Sequence, residues 1–455
     1  MRKYLLSLPL LLFFHSLHSQ HDSILRNFKF RDISFRAITI HISTNGGVNN
    51  IDYPAGETKT RHLEGNSGAG YYSIRSTDKL LQTLSANLYS GLGTGKTDHI
   101  SNGYKSRNFF IGPQFRINNK WFSGRNFIEL GSDALLQANN RRTTNNTPSS
   151  IGKEKWGRQS LTVTVGIGKG RLENITDMQN ALWLNKALEQ EGQLSRSLSL
   201  SELDELGKTI TKSKNTRVLD FRKRTRYVLE TIDGYLQNNG LINKTDIKYF
   251  SNLNDIVFFA FNDPRLSGTE LFIRVTPGIT NYDERITMQP TDTKDQTDAT
   301  TKSVRFSAGI NKHIPINLIH QNSFGATLQL NYFTNNYSDK EFNSGTLVNE
   351  ITTEGTLKQA AIGLFYQHSV YPNTRTIISL RLDGETGYQD IADESGYFGN
   401  ARLTGALDYF ISFRTRFICT LWMQYQNNFY VINNYFELQP RALQLYANAG
   451  LQISL

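Results

Sequence analysis

The closing stretch RALQLYANAGLQISL, Arg441 to Leu455, decides the fold. Leu443, Leu445, Ala447, Ala449, Leu451, Ile453 and Leu455 fall on one side of an extended chain, and Gln444, Tyr446, Asn448, Gly450, Gln452 and Ser454 on the other. Successive side chains of a strand point to opposite faces, so this segment has one apolar and one polar face. Its length suits a tilted crossing of a bilayer, which gives a strand with a lipid side and a wet side.

The same period recurs upstream. In ATLQLNY, Ala326, Leu328, Leu330 and Tyr332 alternate with Thr327, Gln329 and Asn331. In ARLTGALDYFISF, Leu403, Leu407, Tyr409, Ile411 and Phe413 alternate with Thr404, Asp408 and Ser412. Further strands are expected to begin near Phe28, Gly68, Lys79, Tyr104, Gly124, Trp156, Gly268, Thr301, Leu357, Thr374 and Arg414. The total is fourteen, an even number of the kind a single-chain bacterial barrel requires.

Connection lengths are sorted in the same way. Thr44–Asn66, Asn139–Lys155, Asp283–Thr301 and Asn335–Gly355 read as long polar loops, and Ser76–Asp78, Tyr371–Asn373 and Ser412–Arg414 as tight reversals on the opposite side. Outer-membrane barrels have long external loops and short periplasmic turns, whereas a soluble sandwich has no reason to segregate them. The expected fold is an all-β transmembrane barrel of about 14 antiparallel strands, with an α-helical insert.

The N-terminus and the composition agree. Arg2 and Lys3 precede an apolar run from Tyr4 to Phe14 and then Ser16 and Ser19, so residues 1–19 read as a secretory signal peptide. Its removal lowers the formal charge from +10 to +8. No later run of about eighteen apolar residues occurs, and the mean hydropathy of −0.44 excludes a bundle of membrane helices. The single cysteine, Cys419, leaves no intramolecular disulfide to form.

One motif points elsewhere. GLGTGKT, Gly91 to Thr97, has the look of a phosphate-binding loop, which needs Gly-x-x-x-x-Gly-Lys-Ser/Thr between a buried strand and a helix. Here Ser90 takes the first glycine position, and Asp98, His99, Ser101, Asn102 and Gly103 follow where the helix should run. The segment reads instead as an outward strand entering an external loop at Gly91, Gly93 and Gly95, where glycine permits positive φ. No nucleotide and no nucleic acid are expected as partners.

The barrel reading assigns residues 20–169 and 268–455 to strands, and residues 170–267 to an insert with helical periodicity. Ser199 and Glu202 form a capping box, Leu203, Leu206 and Ile210 recur at helical spacing, and Gly240 ends the last long helix. Strand parity puts the insert on the periplasmic side. Trp183, Leu184, Leu188, Leu229, Ile232 and Leu236 are expected to form its core.

Within this insert the run Gly168–Ile210 and the run Lys214–Leu236 carry GxGR[IL]E, Thr176-Asp177, an Ala-Leu step, Gly192-x-Leu194-x-Arg196 and Arg217-x-x-Asp220-x-Arg222. This pattern resembles a helical segment found in porin-like outer-membrane β-barrel proteins of Bacteroidota. The C-terminal strand is similar to the end of bacterial outer-membrane barrels, though those usually finish on an aromatic residue and this one on Leu455. The resemblance implies an outer-membrane location and carries no activity with it.

Candidate functional residues fall in two groups. On the wet face of the strands Arg75, Arg116, Arg274, Arg305 and Arg381 stand against Glu129, Asp133 and Asp408, a small excess of arginine that would bias a pore towards anions. In the insert Lys214, Arg217, Arg222, Lys223, Arg224 and Arg226 face one acid, Asp220. Such a cluster could hold lipid headgroups, peptidoglycan carboxylates or an acidic periplasmic protein, or it could be a solvated helix face with local pairs such as Asp220 with Arg224.

Catalytic and metal signatures are sparse. His368-Ser369 and Asp98-His99 lie in no recognisable hydrolase motif, and His313 with His320, or His41 and His62 with Asp52 and Glu57, lack ligand spacing. The expectation is a non-enzyme without cofactor. It would be a porin-like channel for small polar solutes, with an insert that gates the lumen or docks a periplasmic partner. A non-conducting assembly or secretion scaffold is the alternative, and a lipid-modifying enzyme a third.

Overall fold

The computed structural model describes residues 20–53, 56–99, 103–146, 149–216, 221–259, 264–391, 394–412, 415–427, 429–432, 435–438 and 442–454. The expected signal peptide, Arg217 and Asp220 lie outside them.

The strands are β1 (Ile33–Tyr53), β2 (Gly56–Ser76), β3 (Leu80–His99), β4 (Tyr104–Ser123), β5 (Asn126–Asn146), β6 (Ser149–Asn174), β7 (Leu266–Gln289), β8 (Thr293–Pro315), β9 (His320–Asn343), β10 (Thr346–Asn373), β11 (Thr376–Ile391), β12 (Glu394–Phe410) and β13 (Thr415–Asn427), with β16 (Ala442–Ser454) as the last. These fourteen close into one antiparallel barrel in which β16 sits between β13 and β1, while β14 (Phe429–Ile432) and β15 (Tyr435–Leu438) form a separate two-stranded hairpin. The chain is a transmembrane β-barrel of the expected strand number.

Outside and inside differ as the alternation requires. Leu161, Val163, Val165 and Ile167 of β6 and Leu271, Ile273 and Val275 of β7 are exposed on the outer face, in register with one another. Thr162, Thr164 and Gly166 on β6, and Glu270, Arg274 and Thr276 on β7, take the inner positions. Nothing but lipid satisfies so continuous an outer band of large aliphatic side chains.

The strands are longer than the sequence suggested. β10 runs for 28 residues, roughly 70 Å along the barrel axis at ordinary rise and tilt, against an apolar band of about 25 Å. The stretches expected as long loops are continuations of the wall. β9 and β10 stay paired up to Asn343 and Thr346, where Ser344 and Gly345, both at positive φ, make a two-residue turn. Beyond the membrane both faces meet water, so the ladder continues with no need for alternating apolar residues, and the period that marks a strand disappears.

The glycines of GLGTGKT are corrected for the same reason. Gly91, Gly93 and Gly95 lie within β3 and are not among the positive-φ glycines. An added Cβ at Gly91 would lie 2.2 Å from the Phe110 ring, and one at Gly93 would lie 2.0 Å from the Asn108 side chain. Their use is to let neighbouring β4 side chains cross the inner wall.

The insert is a helical body of α2 (Thr176–Gln190), α3 (Leu200–Asn215), α4 (Phe221–Asn238) and α5 (Ile247–Phe259), joined by α1 (Gln20–Asn27) from the N-terminus. β6 extends to Asn174 and β7 begins at Leu266, so the helical segment is slightly shorter than its expected 170–267. Leu184, Leu188, Leu203, Leu206, Ile210, Ile232 and Leu236 are buried in a shared core, with Trp183 and Leu229 packed at its margin. Phe28, expected to open the first strand, instead follows α1 and joins Ile24 and Leu25 in this core, and β1 starts five residues later at Ile33. At Gly207 of α3 a Cβ would meet the Met178 sulfur and the Phe28 ring at 3.2 Å, so this glycine brings α1, α2 and α3 together.

Candidate functional site: the lumen wall and the helical body across its mouth

Most charges of the inner wall are paired. Arg116 donates to Asp133 through Nε at 2.7 Å and Nη2 at 2.5 Å. Arg274 Nε donates to Glu129 at 2.7 Å and its Nη2 lies 3.3 Å from Glu270, which also receives Lys120 at 2.6 Å. Arg381 pairs with Asp383 at 2.6 Å, and Asp408 with Arg416 at 3.4 Å. Arg305 donates to the Asn331 amide oxygen at 2.9 Å. Sequence reasoning counted five arginines against three acids and missed Lys120, Glu270, Asp383 and Arg416. With them counted, most of these charges are paired among the described residues, and the excess of arginine that would select anions is reduced. Asp383 was legible two positions from Arg381 on one strand face; the Lys120–Glu270 pair, 150 residues apart, was not.

Arg75 is a correction. It stands in register with Gln82, which bonds Asn119, and Asn119 is level with exposed Leu130 on the outer face. The inner positions of this strand end hold Tyr72 and Ile74, which with Phe35 line a cleft against Asp177, Thr211, Lys214 and Asn215 of the helical body. The inner wall is apolar there because helices, not water, face it. That inverts the polarity from which the wet face was assigned.

The helical body is tied to the rim on opposite sides. At β1, the Ser34 amide donates to Asn215 of α3 at 2.9 Å and Asn215 donates to the Asp32 carbonyl, while beside them Arg31, in the segment between α1 and β1, bridges Glu173 of β6 at 2.7 Å and Asp78 of the β2–β3 turn at 3.4 Å. Within the rim itself, Arg171 of β6 reaches the Thr77 carbonyl at 2.8 Å and the Ser76 hydroxyl at 2.6 Å. Half-way round the barrel, Arg26 donates to the Pro315 carbonyl at 3.0 Å. Arg265, 1% exposed, donates to the carbonyls of Leu318, Asn317 and His320 and to Gln321. Farther on, Arg375 of the β10–β11 turn pairs with Asp255 of α5 at 2.6 Å. A body fastened to β1 and also to the β8–β9 turn lies across the opening, because those positions are diametrically opposed in the strand order.

The basic cluster of the insert is divided. Lys214 is buried and pairs with Asp177 at 2.6 Å, so it belongs to the α2–α3 contact and is not available to a partner. Arg224 is partly buried and donates to the Lys214 carbonyl at 3.1 Å, and burial holds its guanidinium below the ordinary value. Arg222, Lys223 and Arg226 are exposed, the last paired with Glu230 at 2.7 Å.

The capping box of α3 is present as expected, and it carries a pH dependence. The Arg196 guanidinium, the Ser199 amide and the Ser199 hydroxyl hold the Glu202 carboxyl at about 2, below its ordinary 4.5. A depressed carboxyl contributes stability above its unfolded value and loses it as pH falls towards 2. Helical protection of residues 199–215, read by amide exchange, is therefore expected to weaken between about pH 4.5 and 2, and a Glu202→Gln variant to show no such step.

Among the described residues, His313, His320 and His368 do not assemble into a catalytic or metal site. His368 faces outward with Asn322 at 2.8 Å and His320 at 3.3 Å, and Ser369 occupies the opposite, inner face. His313 meets the Ser323 hydroxyl at 2.8 Å inside the barrel, and among the described residues no carboxylate bonds it. His313 and His320 point to different sides of the wall and cannot share a metal. Among the described residues no group of three or more His, Cys, Asp or Glu is placed to hold one. The side chains of His41, Asp52, Glu57, Asp98 and His99 lie outside those described.

No family model matches the chain, and no curated protein matches it. Solved structures similar to it include a TodX monoaromatic hydrocarbon channel mutant (8% identity, TM-score 0.35, covering 94% of this chain and 91% of that one). The toluene transporter TbuX of Ralstonia pickettii is similar at 8% identity and TM-score 0.33, covering 95% and 91%. The transport unit of the autotransporter AIDA-I from Escherichia coli follows at 12% identity and TM-score 0.29, covering 85% and 95%. Likeness at this level carries no argument about what this chain does.

Proposed function

We propose that this chain is an outer-membrane channel for small polar solutes whose helical body lies on the periplasmic side and gates the lumen. The observation that carries the reading is the attachment of one helical body to opposite arcs of the rim. Fourteen strands at ordinary spacing and tilt give a barrel about 28 Å across between backbones, and two layers of helices are about 20 Å thick. A body of that size set across the mouth governs passage. The inner wall offers balanced ion pairs and amides, which suit uncharged polar solutes better than anions. No catalytic step is part of this reading.

Conductance tests it. The barrel is refolded into planar bilayers intact, and in a variant with residues 176–263 replaced by a short turn and residues 20–30 removed, because α1 belongs to the helical core. Small, steady conductance that rises severalfold in the variant, with little preference between potassium and chloride, is the expected result. Silence of both forms, with barrel folding shown by heat-modifiable migration, would remove the channel.

A second reading rests on exposed Arg222, Lys223 and Arg226 at the start of α4: the barrel anchors the helical body as a dock for an acidic periplasmic protein or for peptidoglycan. It predicts a cross-linked partner that is lost when these three residues are replaced by glutamine while the barrel remains folded.

A further inference from the structure

The barrel closes on a seam unlike the others. Among the described residues, β1 and β16 pair only from Thr39 with Ser454 to Ile42 with Leu451. On its other side β16 pairs with β13 along its length, from Ile453 with Thr415 to Ala442 with Gln426. Residues Ala442–Gly450 therefore present an edge that, among the described residues, no strand covers.

The sequence supplies the reason. Beyond Ile42, β1 continues as STNGGVNN (Ser43–Asn50), a run with Val48 as its one large apolar residue, while β16 keeps Leu445, Ala447 and Ala449 on its outer side. β1 has left the apolar band where β16 is still within it. Leu445 is accordingly 81% exposed, against 55% for Leu421 and 43% for Met423 on adjoining β13.

A bare sheet edge is not tolerated against lipid, because its N–H and C=O groups find no partner there; it persists only beside water or another polar group. Water from the lumen must therefore reach this edge. Just inside it, Tyr446 of β16 stacks on Trp422 with centroids 5.4 Å apart, and the Arg402 guanidinium lies 4.7 Å over the Trp422 ring. The nearby acids are engaged elsewhere, Asp383 by Arg381 and Glu385 by Asn400, and among the described residues Arg402 has no ion pair.

We infer that the β1–β16 seam is a lateral opening, and that Arg402, Trp422 and Tyr446 form a lumen site for a single-chain amphiphile with a carboxylate head whose tail passes through the seam into the bilayer. The head meets a guanidinium placed over an aromatic ring, whose N–H groups supply the donors. The first methylenes lie on the Tyr446–Trp422 surface, and the rest of the chain enters lipid beside Leu445. A strand-shaped partner would cover the edge but would have no use for Arg402.

This inference rests on reading the lumen as a passage, and its test separates the two. Amide exchange is followed in the full chain in lipid nanodiscs, with and without dodecanoate, in wild type and in Arg402→Gln and Tyr446→Ala variants. Expected are exchange at Ala442–Gly450 at least about tenfold faster than in β13, slowing on addition of dodecanoate in wild type, and loss of that slowing in both variants. Protection equal to that of β13 would overturn the opening. Fast exchange indifferent to dodecanoate would overturn the ligand and leave the edge to a partner strand. Conductance of the same preparations is scored independently: protection by dodecanoate without conductance keeps the site and removes the pore, and conductance without protection does the reverse.

Discussion

Arg265→Ala is expected to loosen the junction where the helical body leads into β7, and through it the seating of that body, while leaving the barrel closed. The guanidinium is buried, lies 4.7 Å over the Tyr371 ring, and satisfies three carbonyls of the β8–β9 turn and the Gln321 amide oxygen. Truncation leaves these neutral acceptors without their donors in a buried site, and a buried polar group left unsatisfied costs about 1–3 kcal/mol. The barrel's own ladders are untouched. The expected signs are rapid proteolysis of residues 176–259, an earlier thermal transition for helical signal, and unchanged heat-modifiable migration. Arg265→Lys should recover little, because one ammonium with three donors cannot reproduce the planar fork over the ring. Wild-type protease resistance in Arg265→Ala would mean that the contacts at β1 and at Arg375 hold the body without it.

Arg274→Met is the second large effect, and it is read in the lumen. Arg274 holds Glu129, 2% exposed, and reaches Glu270, so its loss leaves Lys120 facing two carboxylates. Stability to urea in lipid vesicles should fall by about 3 kcal/mol or more, since a buried acid loses its partner. If the lumen conducts, the reversal potential in a potassium chloride gradient should move towards cations. The double variant Arg274→Met with Glu129→Gln restores the balance and should recover much of both changes, as expected for residues in direct contact. Equal losses in the single and double variants would show that packing against Phe272, whose ring lies 3.8 Å from the Arg274 guanidinium, matters more than charge.

The candidate site was legible in pieces. Arg116, Glu129, Asp133, Arg274, Arg305, Arg381 and Asp408 are inner-wall residues that alternation alone could place, since each sits in a segment with one clearly apolar face. Arg75 could not be placed this way, because Tyr72 and Ile74 on the inner face answer to helices that arrive from 100 residues later in the chain. Lys214 reads as one of six basic residues in sequence, and only the fold brings Asp177 to it.

What the sequence by itself determined is everything set by local period: fourteen strands, the parity that puts the helical segment at the same end of the barrel as the β2–β3, β4–β5, β8–β9 and β10–β11 turns, the α3 capping box, and the apolar positions of the helical core. Each depends on neighbours within a few residues, and alternation or helical spacing records them directly. Only the tertiary structure decided the pairing of lumen charges, the entry of α1 into the helical core, the anchoring of that body to opposite arcs of the rim, and the short β1–β16 seam. These depend on residues brought together by barrel closure. Closure sets which strand ends face each other across the lumen, a relation between distant segments that no period within any one of them contains.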